Sequence, residues 1–158
     1  MYVDDIILTD NDLKEMERLK GIMAREFEIK DLRPLRYFLR MEVAMSKKGI
    51  MVSQRQYTLD LLKETSMLNC KSIDTPMDQN KKNKVGTHGN RGRYQWLVGK
   101  FIYLSHTRPD IAFAVSVVSQ YMHAPCEEHL KAMSQIFRYL KITLGKGLFF
   151  KKSKERKL

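Results

Sequence analysis

The chain has 158 residues, 43% hydrophobic and 30% charged, and carries a formal net charge of +11. This is an ordinary globular mixture, long enough for one domain or a piece of a larger protein, and it excludes intrinsic disorder. The charge favours polyanions, meaning nucleic acid or an acidic membrane surface, although a merely basic soluble protein has the same balance.

The chain opens on Tyr2-Val3-Asp4-Asp5 followed by Ile6-Ile7-Leu8, a β-branched apolar run that reads as strand. Two successive Asp side chains in a regular strand point to opposite faces, but at a tight hairpin turn they converge. Converging carboxylates repel each other, and a hard cation such as Mg²⁺ relieves that repulsion. A surface Asp pair at a strand end is the alternative, and four residues alone leave it open. With a strand directly after Met1, no secretory leader or transit sequence is expected.

Thr9 and Asp10 are expected to cap a helix whose apolar face is Leu13, Met16, Leu19, Met23 and Phe27. Pro34 ends this unit, because the residue before proline avoids the helical region. Residues 37–45 read as a strand, 46–49 as a turn and 50–52 as a second strand, which together make a hairpin. Ser53 is expected to cap a helix with Tyr57, Leu61, Leu62 and Thr65 on its inner face.

Residues 70–93 are different. Apolar residues are sparse, Pro76, Gly86, Gly89 and Gly92 punctuate the stretch, and Lys81, Lys82, Lys84, Arg91 and Arg93 charge it. This reads as a basic connector. A helix follows from Tyr94 to Ser105. Thr107-Arg108-Pro109-Asp110 then signals a restart, with a capping hydroxyl, a first-turn proline and an acid near the helix N-terminus. Residues 111–122 read as a buried helix stopped by Pro125. Glu127 and Glu128 open another, with Leu130, Met133, Ile136, Phe137 and Leu140 inside. Gly145 and Gly147 break it, and Leu148-Phe149-Phe150 begins a strand. The tail over 151–158 is basic.

No apolar run reaches the roughly 18 residues of a membrane span. Cys70 and Cys126 suggest no disulfide framework. The setting expected is intracellular, cytoplasmic or nuclear, not secreted, with no membrane partner. His123, Cys126 and His129 are a metal set by composition only. They straddle Pro125 without a fourth ligand in a known spacing, and a loop between helices is the better reading. His106 reads as turn or packing.

Taken in order, these segments resemble the C-terminal half of a copia-type LTR-retrotransposon reverse transcriptase, part of a Pol polyprotein. The resemblance is carried by Tyr2-Val3-Asp4-Asp5-Ile6-Ile7-Leu8, Tyr37-Phe38-Leu39 with Glu42-Val43, Asp74-Thr75-Pro76-Met77, Leu97-Val98-Gly99-Lys100, Thr107-Arg108-Pro109-Asp110-Ile111 and Arg138-Tyr139-Leu140-Lys141. It implies an α+β fold. Residues 1–53 would be the end of the polymerase palm with a primer-grip-like hairpin. Residues 54–145 would form a mostly helical thumb or connection region containing the basic connector at about 70–93. Residues 146–158 would start a ribonuclease H-like region.

The resemblance also implies chemistry. Nucleotide addition uses two metal ions that activate the primer hydroxyl and clamp the in-line displacement at phosphorus. Asp4 and Asp5 would be the catalytic carboxylates and the Mg²⁺ ligands, Asp5 less directly. Tyr2 and Val3 would line the floor near the primer terminus, and Arg138 and Lys141 would contact the template–primer duplex. An earlier palm carboxylate and the fingers would have to come from N-terminal polymerase segments. The expectation is therefore a piece of an RNA-directed DNA polymerase, inactive alone. Its rivals are a non-catalytic basic nucleic-acid-binding remnant and a decayed copy with no selected role. Members of the family usually carry Gly where this chain has Asp10, Arg33 and Arg40. Arg40 places a long cation in the expected primer-grip strand, where it meets phosphate if exposed and is costly if buried.

Overall fold

The computed structural model describes residues 6–9, 12–31, 34–77 and 90–152. They fall into two compact units, Met1–Arg36 and Tyr37–Leu158.

In the first unit, α1 spans Leu13–Glu26. Its N-cap is Asp12, not the expected Thr9 and Asp10. The Asp12 carboxylate accepts from the amides of Lys14 at 2.9 Å and Glu15 at 3.3 Å, two of the donors a helix start leaves without partners. Phe27 is not part of the helix; it is the C-cap, in extended backbone. The apolar stripe is present in the pattern, yet α1 has no buried residue. Ion pairs from Arg18 to Glu15 and from Lys20 to Asp31 dress its polar side.

The second unit runs β1 (Tyr37–Phe38), β2 (Met41–Ser46), β3 (Gly49–Ser53), α2 (Arg55–Glu64), α3 (Arg91–Ser105), α4 (Pro109–Ser119), α5 (Glu127–Ile142) and β4 (Gly147–Lys151). The four strands form one antiparallel sheet in the order β1-β2-β3-β4. The mixture of helices and antiparallel strands agrees with the α+β reading.

Residues 37–45 are not the single strand that their alternation predicts. Leu39 and Arg40 turn the chain between β1 and β2 with φ of +46° and +58°. Two consecutive residues at positive φ are the signature of a type I′ hairpin turn. Leu-Arg lacks the Asn or Gly that normally announces such a turn, so nothing in the local sequence interrupts the strand pattern.

Both two-residue turns fix the hydrogen-bonding parity of the sheet. Closing β2–β3 over Lys47 and Lys48 makes Ser46 and Gly49 a bonded pair, so Gly49, Met51 and Ser53 bond to β2. Lys48, Ile50 and Val52 then bond to β4. The amide of Lys152 indeed donates to the Lys48 carbonyl at 2.9 Å. Paired residues share a face, so Met45, Ile50 and Phe150 lie side by side, as do Val43, Val52 and Leu148.

The core is helical. Leu62, Tyr94, Val98, Phe101, Leu104, Ile111, Ile136 and Leu140 are fully enclosed, and Phe101 meets Phe137 with ring centroids 4.7 Å apart. Among the described residues, no strand residue belongs to this cluster. Other boundaries also differ from the expected ones. The α2 N-cap is Gln54 rather than Ser53, and its own side chain does not cap; Glu42 of β2 does so from outside, accepting from the Gln56 amide at 2.7 Å. α3 starts at Arg91, because Asn90 caps it through the Arg93 amide. α4 ends at Ser119, short of Met122. The Thr107 hydroxyl does not cap α4; it donates to Gln54 at 2.8 Å, inside the core.

Candidate catalytic and nucleic-acid-binding residues

Tyr2, Val3, Asp4 and Asp5 lie outside the described residues. Among the described residues there is no group of three or more His, Cys, Asp or Glu side chains able to hold a metal ion. Cys126 and His129 have a different use. Cys126 is the N-cap of α5, and the His129 Nδ1 accepts the Cys126 amide at 3.0 Å, a capping box built from unusual residue types. Tyr121 stacks on the His129 ring at 3.7 Å between centroids. Burial disfavours the imidazolium and holds the His129 pKa below its ordinary value, against a smaller opposing pull from Glu128.

Arg138 and Lys141 sit one turn apart on α5, and both reach the same neighbouring strand of backbone. The Arg138 Nε donates to the Lys71 carbonyl at 2.6 Å, and the Lys141 Nζ donates to the Cys70 carbonyl at 2.7 Å. The Ile73 amide answers toward the Arg138 carbonyl at 3.4 Å. Of the connector expected over 70–93, residues 70–77 therefore lie along α5, with Ile73 and Met77 against the core. Residues 78–89 lie outside the described set.

The β1–β2 turn has a built environment. The Tyr103 hydroxyl of α3 donates to the Leu39 carbonyl. Tyr103 packs edge-on against Tyr57 of α2 at 5.3 Å. The Arg40 guanidinium lies 5.7 Å from the Tyr57 centroid, and the Lys100 ammonium lies 6.0 Å from Tyr57 and 5.2 Å from Trp96. Two cations thus share an aromatic patch beside the β1–β2 turn. Arg40 faces solvent, which resolves the question its position raised. Pattern reading missed this patch, since Tyr57 read as a core position, Tyr103 carried no signal of its own and the turn was invisible.

A second feature escaped the sequence. Arg108 is 2% exposed, and its guanidinium forms a fork on Asp110 with both bonds at 2.8 Å. It also donates to the Thr143 carbonyl and hydroxyl at 2.9 and 2.7 Å, while the Tyr139 hydroxyl donates to Asp110 at 2.8 Å. The network locks the start of α4 to the end of α5. Only the run Thr107–Asp110 signalled it, and there as a helix start rather than an ion pair.

A family model described as reverse transcriptase (RNA-dependent DNA polymerase) matches residues 1–79, half of the chain. The chain belongs to the reverse transcriptase family. It is 42% identical over 155 residues to the retrovirus-related Pol polyprotein from transposon RE1 of Arabidopsis thaliana, covering 96% of this chain and 11% of that protein. The Pol polyprotein from transposon TNT 1-94 of Nicotiana tabacum is 34% identical over 95% of this chain and 12% of its own length. An uncharacterized mitochondrial protein of Arabidopsis thaliana is 34% identical, covering 97% of this chain and 65% of that protein. No solved structure matches. The chain thus spans about a tenth of the Pol polyproteins it matches, and the copia-type resemblance is borne out. The resemblance implies Gly at the position of Arg40, and the φ of +58° found there is a conformation that favours Gly.

Proposed function

We propose that this chain is the end of the palm, the primer-grip hairpin and the thumb or connection helices of a copia-type RNA-directed DNA polymerase, and that it does not polymerise alone. The match over residues 1–79 carries this reading, because that stretch holds Asp4 and Asp5 and the whole β1–β3 hairpin. Carboxylate oxygens suit a hard divalent cation, so Asp4 and Asp5 are the residues that would hold Mg²⁺. Bound there, Mg²⁺ would lower the pKa of the primer hydroxyl and neutralise charge at the transferred phosphoryl. The chain's own residues would have the other tasks: Tyr2 and Val3 would line the floor, and the β1–β2 turn with Arg40, beside Lys100 of α3, would offer cations to primer phosphate.

The +11 charge supports a second reading, a non-catalytic module that binds nucleic acid by phosphate neutralisation. Primer extension separates the two. The isolated chain should incorporate no labelled nucleotide on a primed template with Mg²⁺ or Mn²⁺, and incorporation lost on Asp4→Asn would refute the inactivity. Grafted into the transposon RE1 polymerase in place of its matching segment, the chain should support extension that Asp4→Asn removes. A folded but inactive graft, beside an active parent, would defeat the polymerase reading and leave the binding module.

A further inference from the structure

We propose that β4 is a self-recognition edge, through which two copies of this chain pair antiparallel into one continuous eight-stranded sheet. The parity set by the two turns leaves Lys48, Ile50 and Val52 bonding to β4, so Leu148, Phe150 and Lys152 are the β4 residues whose amides and carbonyls are used. Gly147, Phe149 and Lys151 then turn their amides and carbonyls to the outer edge, which is unpaired among the described residues. At the other edge, β1 is only two residues long, a common way of blunting an edge. β4 is five residues long and carries Phe149 and Phe150 at 54% and 57% exposure.

The sequence of β4 suits a second copy. One register pairs all five residues, with Phe149 opposite Phe149 of the second copy on the two-fold axis and Gly147 opposite Lys151. All three outward residues then fall in bonded pairs, each pair exchanging two hydrogen bonds. The register keeps each Lys151 away from its counterpart and sets it against a glycine, so no like charges face each other within the strand. Lys146, which would come opposite Lys152, is turned away, with its ammonium 3.0 Å from the Tyr139 hydroxyl and 3.8 Å from Asp110. Leu148 meets Phe150 of the second copy, so the apolar rows Met45-Ile50-Phe150 and Val43-Val52-Leu148 continue across the axis. Such an interface is isologous and closes at two copies.

The test is sedimentation velocity of the full chain over a range of concentrations, with hydrogen exchange read at single amides. A monomer–dimer equilibrium that stops at the dimer is expected, with the amides of Gly147, Phe149 and Lys151 gaining protection as the dimer fills. Phe149→Pro deletes the central donor, which the monomer does not use, and should raise the dissociation constant at least about tenfold with the melting curve retained. Phe149→Lys should do the same by placing like charges on the axis. A monomer at all concentrations overturns the proposal, as does a dimer untouched by both variants, a dimer whose three edge amides exchange as in the monomer, or an open-ended ladder of oligomers.

Discussion

The guanidinium of Arg108 grips the carboxylate of Asp110 through two parallel bonds at 2.8 Å, and does so with its side chain almost wholly out of water. A buried cation is tolerated only when its partners are all in place, and here Thr143 supplies the remaining acceptors. Asp110→Ala should therefore leave a buried, uncompensated charge and cost about 3–5 kcal/mol in urea unfolding.

The same pair sets a pH dependence. Burial alone would raise the Asp110 pKa, but hydrogen bonds from Arg108 and Tyr139 and the charges of Arg108 and Lys146 outweigh it, and the net shift is downward. A carboxyl depressed in the folded state binds fewer protons there than in the unfolded chain. Its contribution is present in full above the ordinary Asp pKa of about 3.9 and is lost as pH falls through the depressed value. The difference in stability between the wild type and Asp110→Asn should shrink on acidification below about pH 4. A difference that stays constant throughout acidification would show that Asp110 acts by packing alone.

Two positive-φ positions predict opposite responses. Arg40 sits at φ +58° with its side chain in solvent, so Arg40→Gly should relieve about 1 kcal/mol of backbone cost, partly offset by loss of the cation–π interaction with Tyr57. Gly49 sits at φ +154°, and a Cβ there would lie 2.1 Å from the Phe150 carbonyl oxygen. Gly49→Ala should cost about 2 kcal/mol or more and loosen β4 from β3. Urea midpoints moving the same way in both variants would contradict this account.

His129 predicts a second pH effect near neutrality. Its Nδ1 must be unprotonated to accept the Cys126 amide, and its pKa is lowered by burial. For a depressed histidine the stabilisation is complete above the ordinary pKa of about 6.5 and falls away as pH drops through the lower folded value. His129→Ala should cost about 1 kcal/mol at about pH 8 and little below about pH 5, whereas His129→Gln, which keeps an acceptor for the cap, should flatten the dependence. Thermal melts of the three proteins at those two pH values decide it.

What the sequence disclosed follows the physics of each signal. The helices from α2 to α5 were legible because their apolar faces recur at helical spacing over ten residues or more, as at Leu97, Phe101 and Leu104 or Met133, Ile136 and Leu140. The β1–β2 turn was not, because Leu39 and Arg40 carry no turn chemistry, and the contacts from Tyr57 and Tyr103 that support them come from distant helices. The Arg108 fork was hidden for a similar reason: a charged pair two residues apart at a helix start looks like surface, and burial comes from Thr143 and Tyr139, distant in sequence. Leu148-Phe149-Phe150 read correctly as strand, but its partner, β3, lies far earlier in the chain, beyond any local pattern.

For nucleic acid, the resemblance places Arg138 and Lys141 on the duplex, yet in the structure both donate to the backbone of residues 70 and 71. Each ammonium or guanidinium proton spent on a carbonyl is one fewer for phosphate. Breaking these staples should also release a packed segment, at about 1.5–3 kcal/mol per charged hydrogen bond. Arg138→Ala with Lys141→Ala is therefore expected to lower the melting temperature while leaving duplex affinity within about twofold. The basic stretch containing Lys81, Lys82 and Lys84 should behave oppositely. Converting these three to Gln should leave stability unchanged and reduce the slope of log affinity against log salt by up to about 2.7, which is about 0.9 for each phosphate no longer neutralised. Fluorescence anisotropy on a short duplex, titrated at several salt concentrations, measures both. If the α5 double variant melts like the wild type but fails to bind, its two cations reach phosphate and the helix is the contact surface. If affinity ignores salt altogether, phosphate neutralisation is not how this chain binds.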